Sequence, residues 1–180
     1  MSAFLIFFTF YLIVFAVIAP IVLCVGLWGY LYAILFWGAI YVPSTKEKVE
    51  RMVKLLQVKP GQKIIDLGAG DGRLLIALAK EGVKAYGYEI NPFLVSRAMK
   101  NIREAGMVGK AFVYWKSMWS VNLKDYDAVV MFPMGHIMKS LENKFNKELK
   151  TGSKVISNTF DLPNWKPEIT ENHVYLYIKK

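Results

Sequence analysis

A chain of 180 residues with a formal net charge of +9 has room for one domain of common size and an appendage. Its single cysteine, Cys24, excludes an intrachain disulfide and argues against a thiolate metal site, and His136 and His173 lack metal-ligand spacing. No Asp, Glu, Lys or Arg precedes Lys46, so the whole charge lies in residues 46–180. That basic stretch expects an anionic neighbour, and beside an apolar segment lipid headgroups are a simpler choice than nucleic acid.

Phe4 to Val42 is nearly continuous apolar sequence, about twice the roughly 20 residues that a spanning helix needs. The first half reads as a transmembrane helix. The second, Gly26 to Val42, carries Trp28, Tyr30, Tyr32, Trp37 and Tyr41 and reads as an interfacial helix, with a helical hairpin as the alternative. No basic segment opens the chain, which disfavours a cleaved signal peptide. Residues 1–42 are thus expected to be a membrane anchor and 43–180 a separate, charged domain. Lys46, Lys48, Arg51 and Lys54 come directly after the apolar run and place that domain on the cytoplasmic, or equivalent, side. Pro43 ends the apolar segment. Ser44 or Thr45 then caps a helix reaching Gln57, with Val49, Met52, Val53, Leu55 and Leu56 as its apolar stripe.

The stretch KIIDLGAGDGR, residues 63–73, reads as strand, tight turn and helix start. Gly68, Gly70 and Gly72 let the backbone turn sharply and approach a ligand, while the next helix presents unpaired N–H groups. A dinucleotide fingerprint would need its third glycine at position 73, which is Arg73, so NAD is disfavoured. A second strand ends in Glu89, suited to accept the hydroxyls of a ribose. The remainder alternates: helix 72–81, strand 83–89, helix 92–105, strands 110–116 and 126–132, helix 136–149, strand 153–160 and a closing pair within 165–178. The pattern predicts an α/β, doubly wound, mostly parallel sheet with helices on both faces.

Asp66, the three glycines and Glu89 resemble motif I and the acidic strand end of the class I, seven-stranded S-adenosylmethionine (SAM) methyltransferases. The resemblance implies SAM as cofactor, and the cysteine and histidine content implies no metal. Asp66, Gly68, Ala69, Gly70 and Asp71 would line the first turn, and Glu89, Ile90 and Asn91 the second. Ser117, Met118 and Trp119 would flank the adenine. Phe132 and Pro133 would lie next to the methyl group, and Trp165, in FDLPNWKP, could wall the acceptor channel or pack in the core. Methyl transfer needs chiefly alignment and a neutral nucleophile, and no catalytic dyad is evident; His136 fits a helix-start role better than that of a base. The strand before Phe132 lacks the Asn/Asp-Pro-Pro-Tyr/Phe run of nucleobase and glutamine enzymes.

YVPSTKEKVERMVKLL, IIDLGAGDGRL, GYEINPFLV, LENKFNKEL and FDLPNWKP together resemble a narrower group. These are the small protein-lysine methyltransferases, which include archaeal broad-specificity enzymes and the mitochondrial enzymes acting on the adenine nucleotide translocase and the ATP synthase c subunit. The mitochondrial enzymes carry a hydrophobic N-terminal anchor. Relatives usually place an acidic or other polar residue near Ser117, which offers adenine a weaker bond. The resemblance implies a membrane-anchored protein-lysine N-methyltransferase acting on lysines of membrane or membrane-proximal proteins. A lipid or small-molecule methyltransferase and a non-catalytic SAM-binding membrane scaffold are the alternatives.

Overall fold

The computed structural model describes residues 2–36 and 41–180, in two units, Met1–Ile40 and Tyr41–Lys180. In the first unit α1 (Ser2–Phe36) is one unbroken helix. Its stretch Phe7–Gly29 is 23 residues long and apolar enough to cross a membrane, about 35 Å at 1.5 Å per residue. The helix runs through Gly26 and Gly29, so the hairpin turn considered there does not form. A glycine inside a helix costs about 1 kcal/mol, less than the unpaired backbone groups that a break in apolar surroundings would leave. The part of the expected interfacial helix at 37–40 lies outside the described residues.

The second unit opens with an irregular stretch, 41–45, and α2 (Lys46–Leu56). Thr45 caps that helix, its hydroxyl accepting from Lys48 N–H at 3.3 Å. Next come β1 (Lys63–Leu67), α3 (Arg73–Lys80), β2 (Lys84–Glu89), α4 (Pro92–Glu104), β3 (Ala111–Trp115) and β4 (Ala128–Met131). The chain closes with α5 (Met138–Glu148), β5 (Lys154–Asn158), β6 (Ile169–Glu171) and β7 (Val174–Ile178). The strands form one sheet in the order β3-β2-β1-β4-β5-β7-β6. The first five are parallel, and β7 runs antiparallel to both its neighbours. Order reverses between β1 and β4, which opens a crevice at their carboxyl edges.

Alternation along each strand divides the core. Ile64, Ala85, Val113, Val130 and Ile156 pack under α2, α3 and α4. Ile65, Leu67, Val129, Met131 and Val155 pack under α5 through Leu141 and Phe145. Asp66 comes after Ile65 and so faces the α2–α4 side. Helix ends fall within about two residues of those expected; a 3-10 turn, Gly135–Ile137, leads into α5, and a separate one, Met118–Ser120, lies between β3 and β4.

The glycine turn sits close against β2 because Gly87 has no side chain. A Cβ there would stand 2.6 Å from both Ala69 Cβ and Leu75 Cδ1. Leu75 could rotate away, whereas Ala69 Cβ is fixed to the turn. Gly87→Ala should therefore cost about 1–3 kcal/mol, seen as a lower denaturant midpoint with an unchanged slope.

Candidate active site

The carboxyl edge of β1 and β2 carries three carboxyl groups around one turn. Asp66, Asp71 and Glu89 are all buried. Gly68, Gly70 and Gly72 take positive φ values of 92°, 55° and 79°, which only glycine adopts freely. A Cβ on Gly68 would meet nothing, so space lies open over the turn. Gly72 ends the turn as the cap of α3 and offers no side-chain oxygen to the helix N–H groups.

The three acids are compensated in different ways. Glu89 Oε2 accepts from Gly70 N–H at 3.0 Å and Oε1 from Asn91 N–H at 2.9 Å. Each oxygen keeps a further acceptor position for a ligand hydroxyl. Asp71 takes a fork from Arg73, Nη2 at 2.7 Å and Nε at 2.9 Å, and these hydrogen bonds hold its carboxyl below the usual range. Asp66 has no such cation. Burial first, then the charges of Glu89 and Asp71, push its pKa up to about 8.

Arg73 also ties the chain before α2 to this turn. Its Nη1 donates to Ser44 O at 2.6 Å and its Nη2 to the Tyr41 hydroxyl at 3.3 Å. A Cβ on Gly70 would lie 2.9 Å from the Tyr41 ring, so Tyr41 covers the middle of the turn. Asn101 of α4 adds a bond from its amide to Asp71 O at 2.8 Å. Tyr41, Arg73 and Asn101 escape a motif-based reading of the site, since the contacts of Arg73 with Tyr41 and Ser44 span about thirty residues. The pairing of an acid and a base two residues apart, Asp71 and Arg73, was the available signal.

The other expected residues separate into groups. Ala69 is buried against β2, and Ile90 accepts the Trp115 indole N–H on its carbonyl at 2.9 Å. Asn91 caps α4 through Phe93 and Leu94 N–H. Ser117 caps the Met118–Ser120 turn by accepting from Trp119 N–H at 3.3 Å, and the Trp119 side chain is exposed. Phe132 and Pro133 come after β4 at the carboxyl edge, where Phe160 also stands, 3.1 Å from where a Gly135 Cβ would be. Trp165 instead packs between Phe145 and Tyr177, each at 6.3 Å between centroids, and its indole donates to Asn146 at 3.2 Å. Glu142 anchors its loop by accepting from the backbone and side-chain amides of Asn164. His136 is exposed in the Gly135–Ile137 turn. Among the described residues no cluster of acids, histidines and cysteines could hold a metal.

An open glycine turn, a glutamate with acceptor positions to spare and a buried acid lacking a cation fit a ligand that joins hydroxyl groups to a cationic head. SAM has both parts. The ANTKMT methyltransferase domain family model matches residues 66–169, which run from Asp66 to the start of β6. A mouse lysine N-methyltransferase named for the ATP synthase c subunit is 41% identical over 130 residues, covering 72% of this chain and 52% of the mouse protein. The chain thus spans about half the length of that relative. A protein-lysine N-methyltransferase of Saccharolobus islandicus is 35% identical over 148 residues, covering 77% of this chain and 92% of the archaeal protein. A crystal structure of an RNA methyltransferase from Salinibacter ruber with S-adenosyl-L-homocysteine superposes with a TM-score of 0.73 and 30% identity. It covers 76% of this chain and 93% of that one. The chain therefore belongs to the class I SAM-dependent methyltransferases of the ANTKMT protein-lysine methyltransferase family.

Proposed function

We propose that the chain is a membrane-anchored protein-lysine N-methyltransferase acting on lysines of membrane or membrane-proximal proteins. The observation that carries the reading is the carboxyl edge itself: Asp66 and Glu89 flank the glycine turn, and Phe132 and Phe160 supply aromatic surface beside it. When bound there, SAM supplies a methyl group activated by a sulfonium. Asp66 would hold the cationic amino-acid end and Glu89 the ribose hydroxyls. Phe132 and Phe160 shed water from an incoming amine, which disfavours its ammonium form and frees the lone pair. The released proton passes to solvent, so no dedicated base is required. Support for the membrane comes from the span Phe7–Gly29 and from a charge of +9 placed wholly after it. The mouse relative's name supports a lysine of a protein such as the ATP synthase c subunit as the kind of target.

The Salinibacter structure, described as an RNA methyltransferase, favours RNA as a second reading. One assay separates the acceptors. The full-length protein in detergent is incubated with isotope-labelled SAM, host membranes and total RNA, and label is partitioned among protein, lipid and RNA. Label in protein, mapped to lysine and reduced at least about tenfold in Asp66→Ala, is the expected outcome. Label confined to lipid or RNA would overturn the reading.

Asp66 also sets a pH dependence. Without ligand its carboxyl keeps a proton up to about pH 8, whereas a cationic ligand needs the carboxylate. Uptake then releases a proton, so affinity for SAM, read by calorimetry, should rise from about pH 6 toward 8, by at most about tenfold per unit. In the ligand-free protein the native state holds a proton that the unfolded chain gives up near pH 4, so unfolding free energy should fall as pH rises between about 4 and 8. Asp66→Asn should flatten both profiles.

A further inference from the structure

The carboxyl end of β5 holds a polar group that the fold does not satisfy. Asn158 is completely buried, and its Nδ2 is, among the described residues, the one buried side-chain polar atom without a hydrogen-bond partner. Its Oδ1 accepts a long bond, 3.3 Å, from the Thr159 hydroxyl. Interior amides are as a rule paired, and one left unpaired costs stability. Thr159 adds to that cost, because a β-branched residue is strained at its φ of 78°. The turn between β6 and β7 holds the conformation in place: His173 O accepts from Thr159 N–H at 2.6 Å, and Val174 pairs with Asn158.

The sheet brings this amide to the edge where the proposed acceptor would be methylated. β4 lies between β5 and β1, and β1 ends in the glycine turn. The register Met131↔Ser157 carries on to set Asn158 beside Phe132, the residue that follows β4. Ile64, Val130 and Ile156 pack on the α2–α4 side, so alternation puts Asp66, Phe132 and Asn158 on that same face. An amine brought to the aromatic surface of Phe132 therefore comes within about 5 Å, one strand spacing, of the carboxamide. The buried amide is reached only when a side chain at this edge gives way. The four-carbon stem of Lys48, its Nζ 5.7 Å from the Phe132 centroid, is one that can.

We infer that Asn158 holds the acceptor amine for methyl transfer, its Oδ1 taking a hydrogen bond from the Nζ–H of the substrate lysine. The inference rests on the proposed lysine methyl transfer at this edge. A half-turn of the carboxamide frees Oδ1, because the Thr159 hydroxyl can accept from Nδ2 as readily as it donates to Oδ1. The neutral amine has two N–H groups and one lone pair. With an N–H committed to Asn158, the lone pair is left to attack the methyl carbon of the sulfonium. The N–C bond forms as the C–S bond breaks, sulfur keeps the electron pair, and a proton passes from nitrogen to water. A neutral amide suits this task better than a carboxylate, which would favour the ammonium form and withhold the lone pair.

The first test, on the full-length protein in detergent, separates this role from a structural one. Asn158→Leu keeps the branching and removes the unpaired group, so its denaturant midpoint should equal or exceed that of the unaltered protein. SAM uptake by calorimetry should stay within about twofold, while transfer from isotope-labelled SAM to lysines of host membrane proteins falls at least about tenfold. Transfer within about twofold of the unaltered protein overturns the inference. So does a midpoint that falls together with transfer, which would make Asn158 a structural residue. The unaltered protein separates the two levels. No label on any protein lysine removes the lysine-transfer reading itself, whereas label there with full transfer by Asn158→Leu removes only the role of Asn158.

A second readout does not depend on how Asn158→Leu folds. Asn158→Asp keeps nearly the same shape and sets a carboxylate against the amine, which favours the ammonium form. At saturating SAM, the rising limb of the pH–rate profile should therefore move to higher pH, by about one unit. Lys48, over the same ring, favours ionisation of the new carboxylate. It is common to both proteins, as is His173 behind Thr159, so a difference between the profiles belongs to position 158. A limb that does not move overturns the inference.

Discussion

Three carboxyl groups crowd one glycine turn, and the domain is arranged around making that tolerable. Ionised acids this close repel one another, and burial removes the water that would screen them. Glu89 is satisfied by backbone N–H groups and Asp71 by the Arg73 fork, while Asp66 escapes by keeping its proton. Only the last of these compensations is reversible near neutral pH. Asp66 is thus the one acid of the three whose charge state a cationic ligand could change near neutral pH.

Packing makes this crowding possible. Gly87 brings β2 within reach of Ala69, so Glu89 at the strand end can bond Gly70 across the turn. Arg73 and Tyr41 close the turn from above by linking it to the residues just before α2. A network that joins Ser44, Tyr41, Asp71 and Arg73 makes the segment before α2 part of the site rather than a linker. Any displacement of that segment would disturb Asp71 at the same time.

Much of this was legible in the sequence, for reasons of covalent geometry and period. Glycines at alternate positions can turn as this loop does, and the alternation around Ile64 and Ile65 fixes the face that Asp66 occupies. Asp66, Glu89 and the parallel order of strands emerged from those patterns. Two kinds of feature did not. Contacts between residues remote in the chain, such as Arg73 with Ser44 or Lys48 with Phe132, leave no local trace. Apolar composition by itself also says where a helix can be buried without saying where it stops, which is why α1 continues past Gly26. Trp165 had two plausible places, and its contacts with Phe145 and Tyr177 give it a packing role in the α5 layer.

The antiparallel final strand has a practical corollary. Because β7 runs against β5, Ile178 pairs with Lys154 and Lys179 bonds the backbone of Gly152 and Ser153, at the amino ends of the parallel strands. That rim is diametrically opposed to Asp66 and Glu89. A reporter, affinity handle or crosslinker joined after Lys180 would leave the methyl-transfer face unencumbered.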